Sequence, residues 1–325
     1  MNAEIQQNSS EQSVRPNFFI RLFMAFFYIS VIGVFCGFLS SAWWVFEVLS
    51  SFRVQYALIL ATGCIISLWR KNRSAVFLSS VLCISNCYPL YPYMMPMNEE
   101  PHSSRILKIT SVNVHSSNKR YDKVLEYIAS QQPDICLFTE VNQLWAEKLK
   151  PLEKAYPHCV SKIRNDNFGI ALYTKIQPQH LEIVDFLAEE LPSVSMTFLM
   201  GSETIYLIGT HPLPPRTYQY TACRNAQIET IATHFSKISG KKILIGDLNT
   251  PPWVDLFRNL LRVGGLKDTA LGRGIQLTWP MQAWWFLGIP IDHCLVSPEW
   301  NVLSRRIGPE VGSDHYPLYV ELGIP

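Results

Sequence analysis

The sequence predicts a mixed α/β domain carried behind an N-terminal membrane-spanning region. Three observations point there: a long uncharged apolar run near the start, a change after Pro101 to short β-rich runs bounded by polar loops, and several of those runs following one another with no helix between them. Composition agrees. Hydrophobic residues make up 48% of the 325-residue chain and charged residues 17%, against roughly 25% charged in typical soluble domains, and the apolar excess lies before residue 97. The net charge of +2 gives no sign of the basic stripe that nucleic-acid binders usually carry. Nucleic acid is therefore not a favoured partner.

Residues 1–17, polar and rich in Gln, Ser and Asn, read as a disordered tail. The anchor is expected over residues 18–97 as three helices. Residues 22–46 form an uncharged run of 25, longer than the ~20 residues that cross a hydrocarbon core of about 30 Å and too long for the apolar part of a signal peptide. The runs 54–69 and 74–90, separated by Arg70, Lys71 and Arg73, read as a spanning hairpin in preference to a re-entrant or interfacial packing. Short cytoplasmic loops carry the excess of Lys and Arg. Arg15 and Arg21 precede the first span and the second basic cluster follows two crossings later, with Arg53 alone between them. Both basic sets then lie in the cytoplasm, and a third crossing delivers the remaining chain to the outer face. The inference depends on parity, since two crossings would return that part to the cytoplasm.

The soluble domain is expected over residues 105–325. Residues 106–114 alternate as a strand, and 119–132 place Val124, Leu125 and Ile128 at helical spacing before Pro133 ends the helix. Further strands are expected at 135–139, 169–174, 193–200, 204–210, 242–246, 291–296 and 318–321, and a long helix at 220–236. Consecutive strands without intervening helices favour mixed layers over a strictly alternating parallel sheet. Of the eight cysteines, Cys36, Cys64, Cys83 and Cys87 lie in the apolar third and read as small hydrophobes. Cys136, Cys159, Cys223 and Cys294 are widely spaced with no paired ligand pattern, which argues against a zinc site or a dense disulfide scaffold. One bridge, for example Cys159 with Cys223, is left open.

Polar side chains recur at the C-terminal ends of apolar strands: Asn113, Glu140, His211, Asp247 with Asn249, and Asp314 with His315. One alone would be a cap or turn former. Five such places supply what phosphoester hydrolysis needs, namely oxygen ligands for a hard cation, amide donors, and imidazoles that move protons near neutral pH.

The series Asn113 in SVNVHSSN, Glu140 in LFTEV, His211 in GTHPLPP, Asp247 and Asn249 in GDLNTPP, Asp292 in IDHCLVS and Asp314-His315 in GSDHYPL resembles the endonuclease/exonuclease/phosphatase superfamily, in order and across nearly all of 105–325. The chain looks like the bacterial membrane-anchored, three-span branch. The resemblance implies a four-layer α-β-β-α sandwich of two mixed sheets and cleavage of phosphoesters with Mg2+, Mn2+ being the other candidate. It implies that Glu140 binds the metal with Asn113 and Asp314 in or near its shell, and that Asp292 orients His315 as proton acceptor for the attacking water. His211 would contact the scissile phosphate or assist the leaving group, and Asp247 and Asn249 would position phosphate and nucleophile, although some members assign the base role to the counterpart of Asp247. Two positions depart from the pattern: Thr139 stands where Gln commonly precedes the glutamate, and His293 follows the aspartate, where a structural role is expected.

Arg216 and Arg224 follow His211 and are candidates for binding substrate phosphate, although an arginine on a helix, such as Arg224, is as often an intramolecularly paired residue. The aromatic segment 279–287 divides evenly between core packing and dipping into the membrane interface. The expected substrate is a phosphate ester or pyrophosphate at the membrane surface, lipid-linked in the fullest form of this reading. The expected location is the bacterial cytoplasmic membrane with the catalytic domain on its outer face. An envelope-tethered nuclease and a catalytically inactive binding domain are the alternatives; the first calls for a basic groove with aromatic stacking positions, the second for lost ligands.

Overall fold

The computed structural model describes residues 18–96, 105–187, 191–280 and 286–324. The expected tail, and positions 281–285 of the aromatic segment, lie outside the described residues. The chain begins with α1 (Phe18–Phe38), α2 (Trp44–Ser50), α3 (Arg53–Trp69) and α4 (Arg73–Cys87), which continues through a 3₁₀ turn into α5 (Tyr91–Met94). Two stretches, Phe18–Phe38 and Arg73–Met94, are long and apolar enough to cross a membrane, and α2 with α3, bent by 60°, make a third if taken as one span. The first helix thus ends at Phe38, eight residues before the end of the expected run at 46. A turn at 39–42 breaks the run, and Ser40, Glu47 and Ser50 are buried there while Leu39 and Trp43 stay exposed. Helices α1 and α3 approach closely through glycine; a Cβ on Gly33 would lie 2.2 Å from the Tyr56 ring, and one on Gly63 2.5 Å from the Phe27 ring.

The helical region grips the domain at one end only. Ser40 Oγ donates to Asp255 Oδ2 (3.3 Å) and Trp253 Nε1 to the Ser50 carbonyl (2.8 Å). At the foot of α3, Gln55 Nε2 donates to the Gly288 carbonyl (2.8 Å) and the Phe286 carbonyl (3.2 Å). At α5 the carbonyls of Pro92 and Tyr93 accept from Gly272 and Gly274 (3.1 and 2.8 Å). The basic turn of Arg70, Lys71 and Arg73 sits at the opposite ends of α3 and α4.

In the domain, β1 (Arg105–Asn113), β2 (Ile135–Thr139), β3 (His158–Lys162), β4 (Ile170–Thr174), β11 (Asn301–Ile307) and β12 (Leu318–Ile324) form one sheet in the order β11-β12-β1-β2-β4-β3. The second sheet runs β5-β6-β7-β8-β10-β9, built from β5 (Pro178–Asp185), β6 (Pro192–Met200), β7 (Glu203–Thr210), β8 (Lys241–Asp247), β9 (Lys267–Asp268) and β10 (Asp292–Val296). Each sheet has one parallel pair, β1 with β2 and β7 with β8, and is otherwise antiparallel. Alternation sorts the side chains. Leu107, Ile109, Leu137, Ile243 and Ile245 point into the core between the sheets, while Val112 and Phe138 pack under α6 (Tyr121–Gln131) and α7 (Gln143–Leu149). On the other side Ile208 and Leu244 meet Ile228, Ile231, Phe235 and Phe257 of α8 (Tyr218–Ser236) and α9 (Asp255–Gly264). The result is the expected four-layer α-β-β-α sandwich. Strands buried on both faces read as continuous apolar runs, as β8 does. Cys159 and Cys223 are not bridged; all eight cysteines remain thiols.

Candidate active site

The parallel pairs place β1, β2, β7 and β8 with their C-terminal ends at one rim, so the polar residues that follow these apolar strands converge. Asn113 ends β1 and is buried. Its Nδ2 donates to Glu140 Oε1 just after β2 (3.1 Å) and to Asp247 Oδ2 at the end of β8 (3.2 Å), and lies 3.5 Å from His315 Nε2. His211, after β7, brings Nε2 to 3.5 Å from the same Asp247 oxygen. The loop between β11 and β12 brings His315 in from the first sheet. Its Nδ1 bonds Asp292 Oδ2 (2.9 Å) and its Nε2 faces Asp247 Oδ2 (3.6 Å). Asp292 is fixed from behind, its N–H donating to Thr278 Oγ1 (3.1 Å) and its carbonyl accepting from buried Arg305 (3.2 Å).

Left-handed backbone marks the rim. Glu140 (φ 62°), Asn249 (φ 50°) and His115 (φ 56°) all occupy it, a conformation that non-glycine residues hold only where surroundings over-determine it. The Glu140 turn is held by the Ser116 N–H on Oε2 (3.2 Å). Asn249 is held by its own N–H on Asp247 Oδ1 (2.9 Å) and its Nδ2 on the Pro212 carbonyl (2.9 Å).

Burial and neighbours set the charges. Burial, with Asp292 nearby, pushes Asp247 up to about 6 despite the favourable pull of His315. Burial disfavours charge on His315, but Asp292 and Asp247 together outweigh it and push its pKa up to about 10. Asp292 is held below its usual range because its attraction to His315 and its hydrogen bonds to His315 and Thr278 overcome burial. The two carboxylates thus favour the charged form of the imidazole between them.

The donor set fits a hard divalent cation. Glu140, Asp247 and Asp292 gather around Asn113 and His315, and Asp292 Oδ1 and Asp314 Oδ1 are buried without a hydrogen-bond partner among the described residues. Asp247, Asp292 and His315 offer ligand atoms within 4.8 Å of one another. The 2.9 Å bond inside that trio ties Asp292 to His315, and the carboxylates of Glu140 and Asp247 meet at the Asn113 amide, whose donors a bound ion would displace.

Six of the sequence-predicted residues, Asn113, Glu140, His211, Asp247, Asp292 and His315, therefore form one network, with Asn249 bracing it. Two expected ligands are placed differently. Asn113 presents its NH2 to the carboxylates, and its Oδ1 accepts the His115 N–H (3.0 Å). Asp314 accepts from Trp279 Nε1 (3.0 Å) and lies 3.5 Å from His115 Nδ1. Arg216 lies exposed on the loop before α8. Arg224 does not reach the opening: it is completely buried, bound to Glu47 Oε2 (2.7 Å) and to the Asn249 carbonyl (3.0 Å), which removes it as a substrate ligand. His293 is structural, its ring buried against Phe257 with Nε2 on the Thr250 carbonyl (2.9 Å). Sequence reasoning missed His115, Thr278 and Glu47, and read Trp279 only as part of the aromatic segment 279–287. His115 stands two residues after Asn113, and that spacing was the one available signal.

The model of the Endonuclease/Exonuclease/phosphatase family matches residues 110–315. No curated protein matches the chain in sequence. Among solved structures, an endonuclease/exonuclease/phosphatase family protein from Leptotrichia buccalis is 22% identical with a TM-score of 0.56, over 67% of this chain and all of its own. D. rerio TDP2, solved with a single strand DNA product, is 17% identical with a TM-score of 0.56, over 68% of this chain and 100% of its own. Beta toxin of Staphylococcus aureus is 17% identical with a TM-score of 0.50, over 66% of this chain and 99% of its own. These likenesses are likenesses of fold.

Proposed function

Because the chain belongs to the Endonuclease/Exonuclease/phosphatase family, whose members are metal-dependent phosphoesterases and nucleases, we propose that it hydrolyses a phosphate ester or pyrophosphate at a membrane surface, with a lipid-linked substrate preferred. One observation carries the hydrolytic reading: a single amide nitrogen, Asn113 Nδ2, touches both Glu140 and Asp247 while the Asp292–His315 pair faces the same point.

Glu140 and Asp247 would hold a divalent ion, Mg2+ before Mn2+, with the Asn113 amide turning its oxygen inward. Bound there, the ion supplies charge neutralisation on the phosphate oxygens. The chain's own residues do the rest. Asp247, which faces both His211 and His315, and His315, oriented by Asp292, are the two groups placed to accept a proton from water. His315, hydrogen-bonded to Asp292 through Nδ1, turns its Nε2 toward the point where water and phosphate would meet. His211 stands beside Asp247 to contact a phosphate oxygen or protonate the leaving group.

The membrane part of the reading is supported by the position of the rim. The loop after Asn249 runs to Trp253, which bonds Ser50, and Gly288, next to the Ile289 that pairs with Trp279, bonds Gln55, as does Phe286. Both borders of the site thus touch the helical region where it leaves its apolar stretch. The domain lies at the end of α3 and α4 opposite the basic turn, which supports three crossings and an extracytoplasmic domain.

The test is an assay of the full-length protein in mixed micelles with Mg2+ or EDTA on a lipid pyrophosphate, a phosphoinositide, a sphingolipid phosphodiester, and single- and double-stranded DNA. Magnesium-dependent release from a lipid, lost in Glu140→Ala and His315→Ala, is the expected result. Cleavage of DNA alone would favour the second reading, a nuclease, which the D. rerio TDP2 complex keeps in play. Inactivity on all substrates would return the chain to the binding-domain alternative.

A further inference from the structure

Arg224 is a guanidinium without any exposure, placed on α8 next to the second sheet. A fully buried cation requires a counter-charge, and the carboxylate paired with it comes from 177 residues away: Glu47 of α2, whose Oε2 accepts from Arg224 Nη2 at 2.7 Å. Glu47 is itself buried, 6% exposed. Arg224 spends its other donors inward. Nε and Nη2 reach Asn225 Oδ1 (3.1 and 2.8 Å), and Nη1 donates to the Asn249 carbonyl at 3.0 Å.

The last contact matters, because Asn249 is one of the strained residues of the site. Its left-handed backbone is clamped by bonds to Asp247 on one side and Pro212, the neighbour of His211, on the other. Arg224 grips the same peptide from behind. We propose that Glu47, supplied by the membrane region, is a positioning residue of the active site, acting through Arg224 to hold the Asn249 turn and with it Asp247 and His211. The helical region then does more than tether the domain; it completes the support of the reacting groups. A tether alone would be served by the Ser40–Asp255 and Trp253–Ser50 bonds, neither of which involves Arg224.

The turnover part of the test rests on the phosphoesterase reading, and the exchange part does not. Full-length wild type, Glu47→Gln, Ser40→Ala and the double variant Glu47→Leu/Arg224→Met are compared for kcat and KM, for thermal midpoint, and for amide hydrogen exchange of residues 247–254. Glu47→Gln is expected to lower kcat on the order of 10-fold with KM within about two-fold, and to speed exchange of 247–254. Ser40→Ala, which loses an anchor contact remote from Arg224, leaves both unchanged. The double variant removes both charges, so it should keep its thermal midpoint while remaining slow and exchanging fast, because the Asn249 carbonyl still lacks its donor.

Recovery of kcat and protection in the double variant would overturn the proposal, since the pair would then only neutralise itself. So would wild-type kcat and exchange in Glu47→Gln, or an equal loss in Ser40→Ala. If Glu47→Gln fails to fold, the double variant carries the test without a stranded charge. If wild type hydrolyses none of the substrates, the phosphoesterase reading has failed, and exchange at 247–254 alone decides for or against Glu47.

Discussion

Glu140 combines a left-handed backbone with a carboxylate that faces the Asn113 amide on one oxygen and a backbone N–H on the other. Its charge, more than its shape, is what a cation would use. Glu140→Gln should therefore keep the fold and lose on the order of 10²-fold or more in magnesium-dependent turnover, with weakened Mn2+ binding in a calorimetric titration; undiminished turnover would place the cation elsewhere. His293 makes a different claim, on stability. Burial holds its pKa below the ordinary 6.5, so the folded state binds fewer protons than the unfolded one on the acid side. Its contribution is fully present above about 6.5 and is lost as pH falls through the lower folded value. The thermal midpoint should decline from pH 7 to pH 5, and His293→Gln, which keeps the donor to Thr250, should flatten that slope. A parallel decline in both proteins would assign the loss to other groups.

At the scale of elements, the site depends on how closely β7 and β8 run where they end. Gly246, with φ 143°, has no space for a side chain; a Cβ there would lie 2.0 Å from the Thr210 carbonyl oxygen. Asp247 and His211 are the next residues on the two strands, so Gly246→Ala must move one from the other. It should cost at least ~2 kcal/mol of stability and reduce turnover more than KM, as read by denaturation and steady-state rates; a variant as stable and as active as wild type would show that the strands can separate without harm. The same elements explain what the sequence revealed. β1, β2, β4, β7, β8 and β10 are central and buried on both faces, and their apolar runs announced them together with the polar residues at their ends. β3, β5, β9 and β11 stand at sheet edges, where one face is wet and the pattern is diluted, as in the exposed Ser161 and Lys162 of β3. Those four went unread. Arg224 was misread because helical position says nothing about burial, and Glu47 because its partner lies in another part of the chain. The end of α1 was misplaced because the apolar run carries no mark of the turn at 39–42.

For the whole molecule, the proposed membrane anchoring raises the question of which side the domain occupies. Cys159 answers it experimentally: it is an exposed thiol on edge strand β3, far from the helical region in sequence. In intact cells a membrane-impermeant maleimide should modify Cys159, and Cys159→Ser should abolish that labelling; modification only after lysis would put the domain in the cytoplasm. The grips at Ser40, Ser50, Gln55, Pro92 and Tyr93 have one more result. A head fastened at so many points cannot swing on a leash, so, with the apolar helices in a bilayer as proposed, its height above the headgroups would be set by protein packing and productive collisions would take place in a thin shell parallel to the sheet of lipid. Turnover of a lipid substrate should accordingly follow its mole fraction in the surface and fall when inert lipid dilutes it, even with the bulk amount held constant.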